Sequence, residues 1–171
     1  TFNILGRTQV FSYFGNSAVF FLLGVFILSG AIIHTGLSKR MAFWFINRFG
    51  RSPLGLLFGV TCTSSLFALF MPAHAVAAMM FPVVLELAAV LRLEKGRSRL
   101  GKSLFLALAW GSVVGGIGTY LGGARVPLAV EFLRETYSRR IDFLTWAAAA
   151  TPMALVLTGV VFGALAKRFP S

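Results

Sequence analysis

A chain of 171 residues in which 57% are apolar or aromatic, only 12% are charged and the mean hydropathy is +0.83 is too greasy for a soluble domain, which keeps about a quarter of its residues charged. The net charge of +11 sits in the gaps between apolar runs rather than on a basic face with interleaved aromatics. That distribution excludes a nucleic-acid reading and matches the orienting charges of a membrane protein. One cysteine, Cys62, excludes an internal disulfide framework.

The first apolar run, Ser17 to Gly36, is too long for the core of a signal peptide and long enough to cross a bilayer of about 30 Å once. Next comes "SKRMAFWFINRFG", in which bulky apolar residues lie between basic ones. Residues 37–51 are therefore expected to form an interfacial helix with Trp44 at headgroup level. A second run, Leu54 to Leu91, holds one carboxylate (Glu86) and no Lys or Arg. As one straight helix it would measure roughly 57 Å, nearly twice the hydrocarbon thickness.

Basic loops flank that run on both sides. "GLSKRMAFWFINRFGRSP" carries Lys39, Arg40, Arg48 and Arg51, and "RLEKGRSRLGK" carries Arg92, Lys95, Arg97, Arg99 and Lys102 against Glu94. The positive-inside rule puts both loops on the cytoplasmic face, so residues 54–91 start and finish on one side. Two full spans need about 40 residues plus a turn, which predicts a re-entrant helical hairpin instead. Its tip is expected near 71–75, where Pro72 lacks an N–H and turns the chain.

The third run, residues 103–133, contains "GGIGTYLGGARVP". Glycines here make helix continuation expensive, about 1 kcal/mol each relative to alanine, and Pro127 follows. The expectation is a broken helix unwound over 115–127. Its spacing imitates a dinucleotide fingerprint, but no strand precedes it and no acid follows where that fold needs one. "RETYSRRID", with Arg134, Arg139 and Arg140 offset by Glu135 and Asp142, reads as an outside loop. Residues 143–166 then form a closing span that ends at Lys167 and Arg168.

Unwound backbone at membrane depth is tolerated where protein buries it or where it lines a wet cavity. A broken helix facing a hairpin tip is one way that secondary transporters build a midplane site. Three stretches, "PAHAVAAMMFPV", "GGIGTYLGG" and "DFLTWAAAATPMALVL", resemble the N-terminal repeat of the divalent anion–sodium symporters, the dicarboxylate, citrate and sulfate permeases. The likeness covers nearly the whole chain. In that family a Ser-Asn-Thr hairpin tip meets an unwound Gly-Gly-Ile-Gly-Thr segment, and the two bind sodium and part of the anion. Ala75, Ala78, Met79, Met80 and Pro82 fit the hairpin, and Gly115 to Thr119 fit the loop. Pro72, Ala73 and His74 stand in place of Ser-Asn-Thr, and Gly123 to Val126 replace a Thr-Pro-Pro-Asn.

The resemblance implies an all-α polytopic protein, one half of an inverted-repeat transporter. Its expected function is secondary active transport of small anions of the dicarboxylate or sulfate class, coupled to sodium or protons. The candidate half-site comprises Pro72, Ala73, His74, Ala75, Gly116, Gly118, Thr119, Gly122, Gly123 and Arg125, with a sodium ion at the backbone of Ala73 and Gly118. His74 is either a histidine at a wet tip or a proton-sensitive anion contact. Arg125 is either a snorkelling residue or an anion clamp. Glu86 is expected to pair with Arg92 at the interface. The pairs Gly55/Gly59, Gly111/Gly115 and Gly118/Gly122 are expected to be helix-packing grooves.

No nucleophile–base set or metal-ligand cluster points to an enzyme, and no organic cofactor is expected. The partners implied are the lipid bilayer, a small anionic substrate, and a second repeat or second copy, with a homodimer as the expected assembly and no nucleic acid. A multi-pass location in the plasma (inner) membrane follows. The chain opens on Thr1 and is expected to be part of a longer transporter. The alternatives are a degenerate relative acting as a membrane scaffold or partner subunit, which the altered tip favours, and an uncoupled anion channel.

Overall fold

The computed structural model describes residues 17–36, 52–94, 96–137 and 141–168, together with Gly15, Arg40, Trp44, Asn47 and Arg48. The expected interfacial helix at 37–51 therefore lies largely outside the described residues. The described elements are helical: α1 (Ser17–His34), α2 (Pro53–Ala68), α3 (Ala73–Val90), α4 (Arg99–Gly115), a 3₁₀ turn (Tyr120–Gly122), α5 (Arg125–Tyr137) and α6 (Phe143–Arg168).

Local chemistry explains where the helices start and stop. Ser52 caps α2 by accepting the Gly55 N–H at 3.0 Å, with Pro53 in the first turn. Ser98 caps α4 in the same way, accepting from Gly101 at 3.1 Å. A hydroxyl at this position satisfies a backbone donor that the helix itself cannot. Pro72, at φ −56° and ψ 138°, interrupts the second apolar run, because an extended proline has no N–H to continue the ladder. The run is folded as two helices joined by a turn over Leu69–Pro72. Ala73, His74 and Ala75 already belong to α3, so the turn lies about two residues earlier than the expected tip.

By residue count α2 measures about 24 Å and α3 about 27 Å, so α2 is the arm that falls short of the hydrocarbon core. Both arms pack on one partner, since α4 contacts α2, α3 and α6, and the arms also touch each other. The core formed there includes Leu57, Val60, Met71, Met80, Val84, Leu104 and Leu108.

The seam between α2 and α4 is lined with small residues. A Cβ on Gly111 would come within 2.8 Å of the Thr61 carbonyl oxygen, and one on Gly115 within 2.2 Å of the Ser65 carbonyl oxygen. The Gly111/Gly115 pair is thus a helix-packing groove. Gly118 and Gly122 correct the same expectation. They lie outside regular α-helix, in the loop after α4, so their spacing makes no helical groove. Thr158 donates to the Ala154 carbonyl at 2.8 Å and stands 2.7 Å from Ser65. A hydroxyl has one proton to give, so Ser65 donates to Thr158 and ties α2 to α6.

The outside of the bundle is apolar. Phe20, Ile27, Leu144, Met153, Leu155, Val156 and Val160 are exposed. Two helices, Ala73–Val90 and Phe143–Arg168, are long and apolar enough to cross a membrane, yet only 28% and 17% of an 18-residue apolar stretch in each is buried in the chain. The core helix of a soluble protein would be mostly buried; these present apolar side chains outward, as lipid-facing helices do. Glu86 is exposed and forms no ion pair with Arg92 among the described residues, against expectation. An ion pair joins Arg134 to Glu131 at 3.5 Å, one helical turn apart on α5.

Candidate functional site

α4 stops at Gly115, and the chain has no α-helix over residues 116–124, only the 3₁₀ turn, before α5 starts at Arg125. The break is shorter than the expected 115–127. Pro127 falls in the first turn of α5, where the missing N–H has no intrahelical partner to lose.

Glycine lets this loop fold back on itself. A Cβ on Gly122 would sit 2.3 Å from the Gly116 carbonyl oxygen, backbone against backbone. A Cβ on Gly118 would meet the Leu69 side chain at 2.5 Å, and one on Gly116 would touch the Ala73 methyl at 3.5 Å. The loop therefore rests directly on the turn between α2 and α3. Gly123 is different, with nothing within 4 Å of where its Cβ would be.

Unwinding leaves carbonyls without helical partners, and side chains from elsewhere satisfy them. The Thr119 hydroxyl donates to the Leu69 carbonyl, a contact across 50 positions of chain, while accepting the Leu121 N–H at 3.2 Å. The Thr151 hydroxyl donates to the Gly118 carbonyl at 3.1 Å, and the Trp146 indole N–H to the Ile117 carbonyl at 3.1 Å. The Tyr120 hydroxyl donates to the Ile141 carbonyl at 2.6 Å. The rings of Phe143 and Trp146 lie edge-on to Tyr120, with centroids 5.7 and 6.3 Å away. One end of α6 thus grips the loop, and the loop grips the hairpin turn.

The candidate residues divide into two sets. Pro72, Ala73, Gly116, Gly118, Thr119 and Gly122 are brought together at the turn–loop contact. Pro72, Gly116, Gly118, Thr119 and Gly122 are buried there. Ala75 is half-buried and directs its N–H to the Pro72 carbonyl at 2.9 Å. His74 is exposed and lies beside Phe26 of α1, with ring centroids 6.3 Å apart. Arg125 is exposed at the start of α5, with no ion pair to it among the described residues.

Oxygen donors decide what the contact can hold. Pro72 and Ala73 have no side-chain donor, and the Thr119 hydroxyl is committed to Leu69. What remains is main chain: the Gly118 carbonyl uses one of its two lone pairs on Thr151. The Phe70 and Met71 carbonyls accept no backbone hydrogen bond among the described residues. Such oxygens suit a hard cation or water.

Leu69, Tyr120, Trp146 and Thr151 were not among the candidates read from sequence. Two hints were present. Trp146 opens an otherwise Ala-rich run, and Thr151 precedes Pro152 inside an apolar helix. Neither hint names a partner, because the partners are main-chain carbonyls.

The family model for the sodium:sulfate symporter transmembrane region matches residues 4–170. The chain belongs to the sodium:sulfate symporter family. It is also similar to the sodium-dependent dicarboxylate transporter SdcS of Staphylococcus aureus. With the proteins of strains NCTC 8325 / PS 47 and COL it shares 28% identity over 167 residues, covering 94% of this chain and 32% of theirs. The chain thus spans about a third of the length of these relatives. It is a helical membrane protein of a symporter family, and its turn–loop contact lies within the matched region.

Proposed function

We propose that this chain forms one half of a secondary active transporter for small anions, with the α2–α3 turn and residues 116–124 as its half-site. The observation that carries the reading is the unwound, glycine-lined loop held against a helical hairpin turn in an apolar bundle. In this reading the chain is a multi-pass segment of the plasma membrane. The dicarboxylate transport named for the Staphylococcus aureus relatives, and the sulfate and sodium in the family's description, make dicarboxylate or sulfate the cargo to try first. Sodium is the co-transported ion to try first.

Here the side chains that touch the anion are His74 and Arg125, the two exposed polar groups beside the contact. Guanidinium matches carboxylate or sulfate through paired N–H donors. The cation is held by carbonyls, those of Gly118 and the turn, since the tip supplies no side-chain oxygen. Completing the site requires a second repeat or a second copy of the chain, and the transport cycle moves one bundle against another.

The test is uptake of labelled succinate and labelled sulfate into vesicles carrying the longest available chain, with and without an inward sodium gradient. Accumulation above equilibrium supports the reading, equilibration alone means a channel, and no uptake leaves the scaffold reading. Arg125→Gln is expected to raise the KM about tenfold, the scale of a lost charge-assisted pair. His74→Ala is expected to alter uptake or its pH profile. If both variants behaved like the parent, neither residue would contact the anion.

Sidedness is tested separately by single cysteines replacing Leu54, Arg97 and Tyr137 in a Cys62→Ser background, labelled with an impermeant thiol reagent. Positions 54 and 97 are expected on the cytoplasmic face and 137 on the other. Opposite faces for 54 and 97 would remove the hairpin topology.

A further inference from the structure

A cavity of about 720 Å³ opens away from the turn–loop contact, between the last turns of α3 and the first turns of α4. Its size falls within the usual range for small-molecule sites, about 300–1,000 Å³. Leu85, Ala89, Leu93, Phe105 and Leu106 form its walls, and its two charged lining residues are Glu94 and Lys102. Arg92, Arg97 and Arg99 adjoin lining residues in the chain; they and Lys102 are exposed and take part in no ion pair among the described residues. Residues 92–102 carry five basic residues against the single acid Glu94.

A greasy slot with Lys102 in its lining, beside a stretch of chain with a basic excess, fits an amphiphile with an anionic head, not a free anion. We infer that this cavity binds an anionic phospholipid, its acyl chain along Leu85, Ala89, Phe105 and Leu106 and its phosphate at Lys102. The loop is one that the charge rule puts on the cytoplasmic side. The cytoplasmic leaflet is rich in anionic lipid, and basic pockets between helices on that side recognise such headgroups. Glu94 opposes the phosphate and keeps the site from being a plain polybasic patch. The lipid would splint the base of the hairpin to α4, far along both helices from the contact that Thr119 makes.

The experiment is native mass spectrometry of the full-length protein that carries this segment, offered equal phosphatidylglycerol and phosphatidylcholine with the same acyl chains. Preferential retention of phosphatidylglycerol is expected. Lys102→Gln is expected to lower that retention about fivefold, the scale of one charge near an anionic headgroup. Glu94→Gln should raise it, a change that damaged folding would not produce. Arg168→Gln removes a charge on the same expected face but outside the cavity and should leave retention unchanged. Ala89→Phe, which fills the slot, should lower retention of both lipids.

Equal retention of the two lipids would overturn the proposal, as would an Arg168→Gln effect as large as that of Lys102→Gln. Unchanged lipid retention in Ala89→Phe with a shifted unfolding temperature would also overturn it, and would mean that another part of the protein fills the cavity.

Discussion

Two close approaches hold this bundle together, and they differ in what the backbone is doing. At the α2–α4 seam, Gly111 and Gly115 let two regular helices touch while every main-chain group in the middle of each helix stays in its own ladder. At the turn–loop contact, Gly116, Gly118 and Gly122 also permit close approach, but the ladder has been broken. There the freed carbonyls of Leu69, Ile117 and Gly118 are satisfied one by one by Thr119, Trp146 and Thr151. The seam is held by shape alone. The contact is held by shape plus a few exchangeable hydrogen bonds, which is the arrangement expected of a part that binds or moves.

The largest effect should come from filling the seam. Gly115→Ala drives a methyl to 2.2 Å from the Ser65 carbonyl oxygen, and main chain cannot swing aside as a flexible side chain can. Overpacking typically costs about 1–3 kcal/mol and occasionally more; this position belongs at the upper end. A large drop in the yield of monodisperse protein and in its unfolding temperature in detergent is expected. Wild-type stability would show that the seam is looser than described.

Within the contact, neighbouring glycines should behave in opposite ways. Gly122→Ala meets the Gly116 carbonyl at 2.3 Å, whereas Gly123→Ala meets nothing within 4 Å. The first is expected to destabilise by about 2 kcal/mol and to abolish uptake. The second should be near neutral in both. Equal behaviour of the two variants in paired uptake and melting assays would mean that the loop does not fold back on itself.

Thr119→Val tests the bond between loop and hairpin. It keeps the shape and removes the donor, leaving the Leu69 carbonyl unsatisfied at a cost of about 1–3 kcal/mol. Uptake should fall about tenfold, with Thr119→Ser restoring it. If valine and serine gave the same rate, the hydroxyl would be a packing group only.

Much of the fold was legible because its signals are local. Apolar length gave the runs, Pro72 gave a turn, and the cluster from Gly115 to Gly123 gave an unwound stretch. Boundaries moved by two or three residues because Ala73 to Ala75 can begin a helix as easily as end a turn, and because Pro127 is welcome in a first turn. What stayed hidden was non-local. Glu86 and Arg92 are close in sequence but unpaired in space. Gly118 and Gly122 have the spacing of a helix groove without being in a helix. The grip of α6 on the loop joins hydroxyl and indole donors to main-chain acceptors, and a carbonyl leaves no mark in a sequence.

That grip supplies the smallest and finest test. Thr151 and Trp146 each satisfy one loop carbonyl from α6, at the same 3.1 Å, so a count of bonds would weigh them equally. Their surroundings do not. The Thr151 bond is partly buried, whereas the Trp146 bond is exposed, and at an exposed site water can replace a lost donor. Thr151→Val should therefore cost about 1 kcal/mol and Trp146→Phe, which keeps most of the ring contact with Tyr120, about half of that or less. The two should separate in function as well. In the proposed function Gly118 is the loop carbonyl offered to the cation, and Thr151 holds one of its lone pairs, so Thr151→Val should shift the sodium concentration giving half-maximal uptake. Trp146→Phe should leave it alone. A sodium dependence that moved equally in both variants, or in neither, would place the cation away from Gly118 and return α6 to the role of a brace.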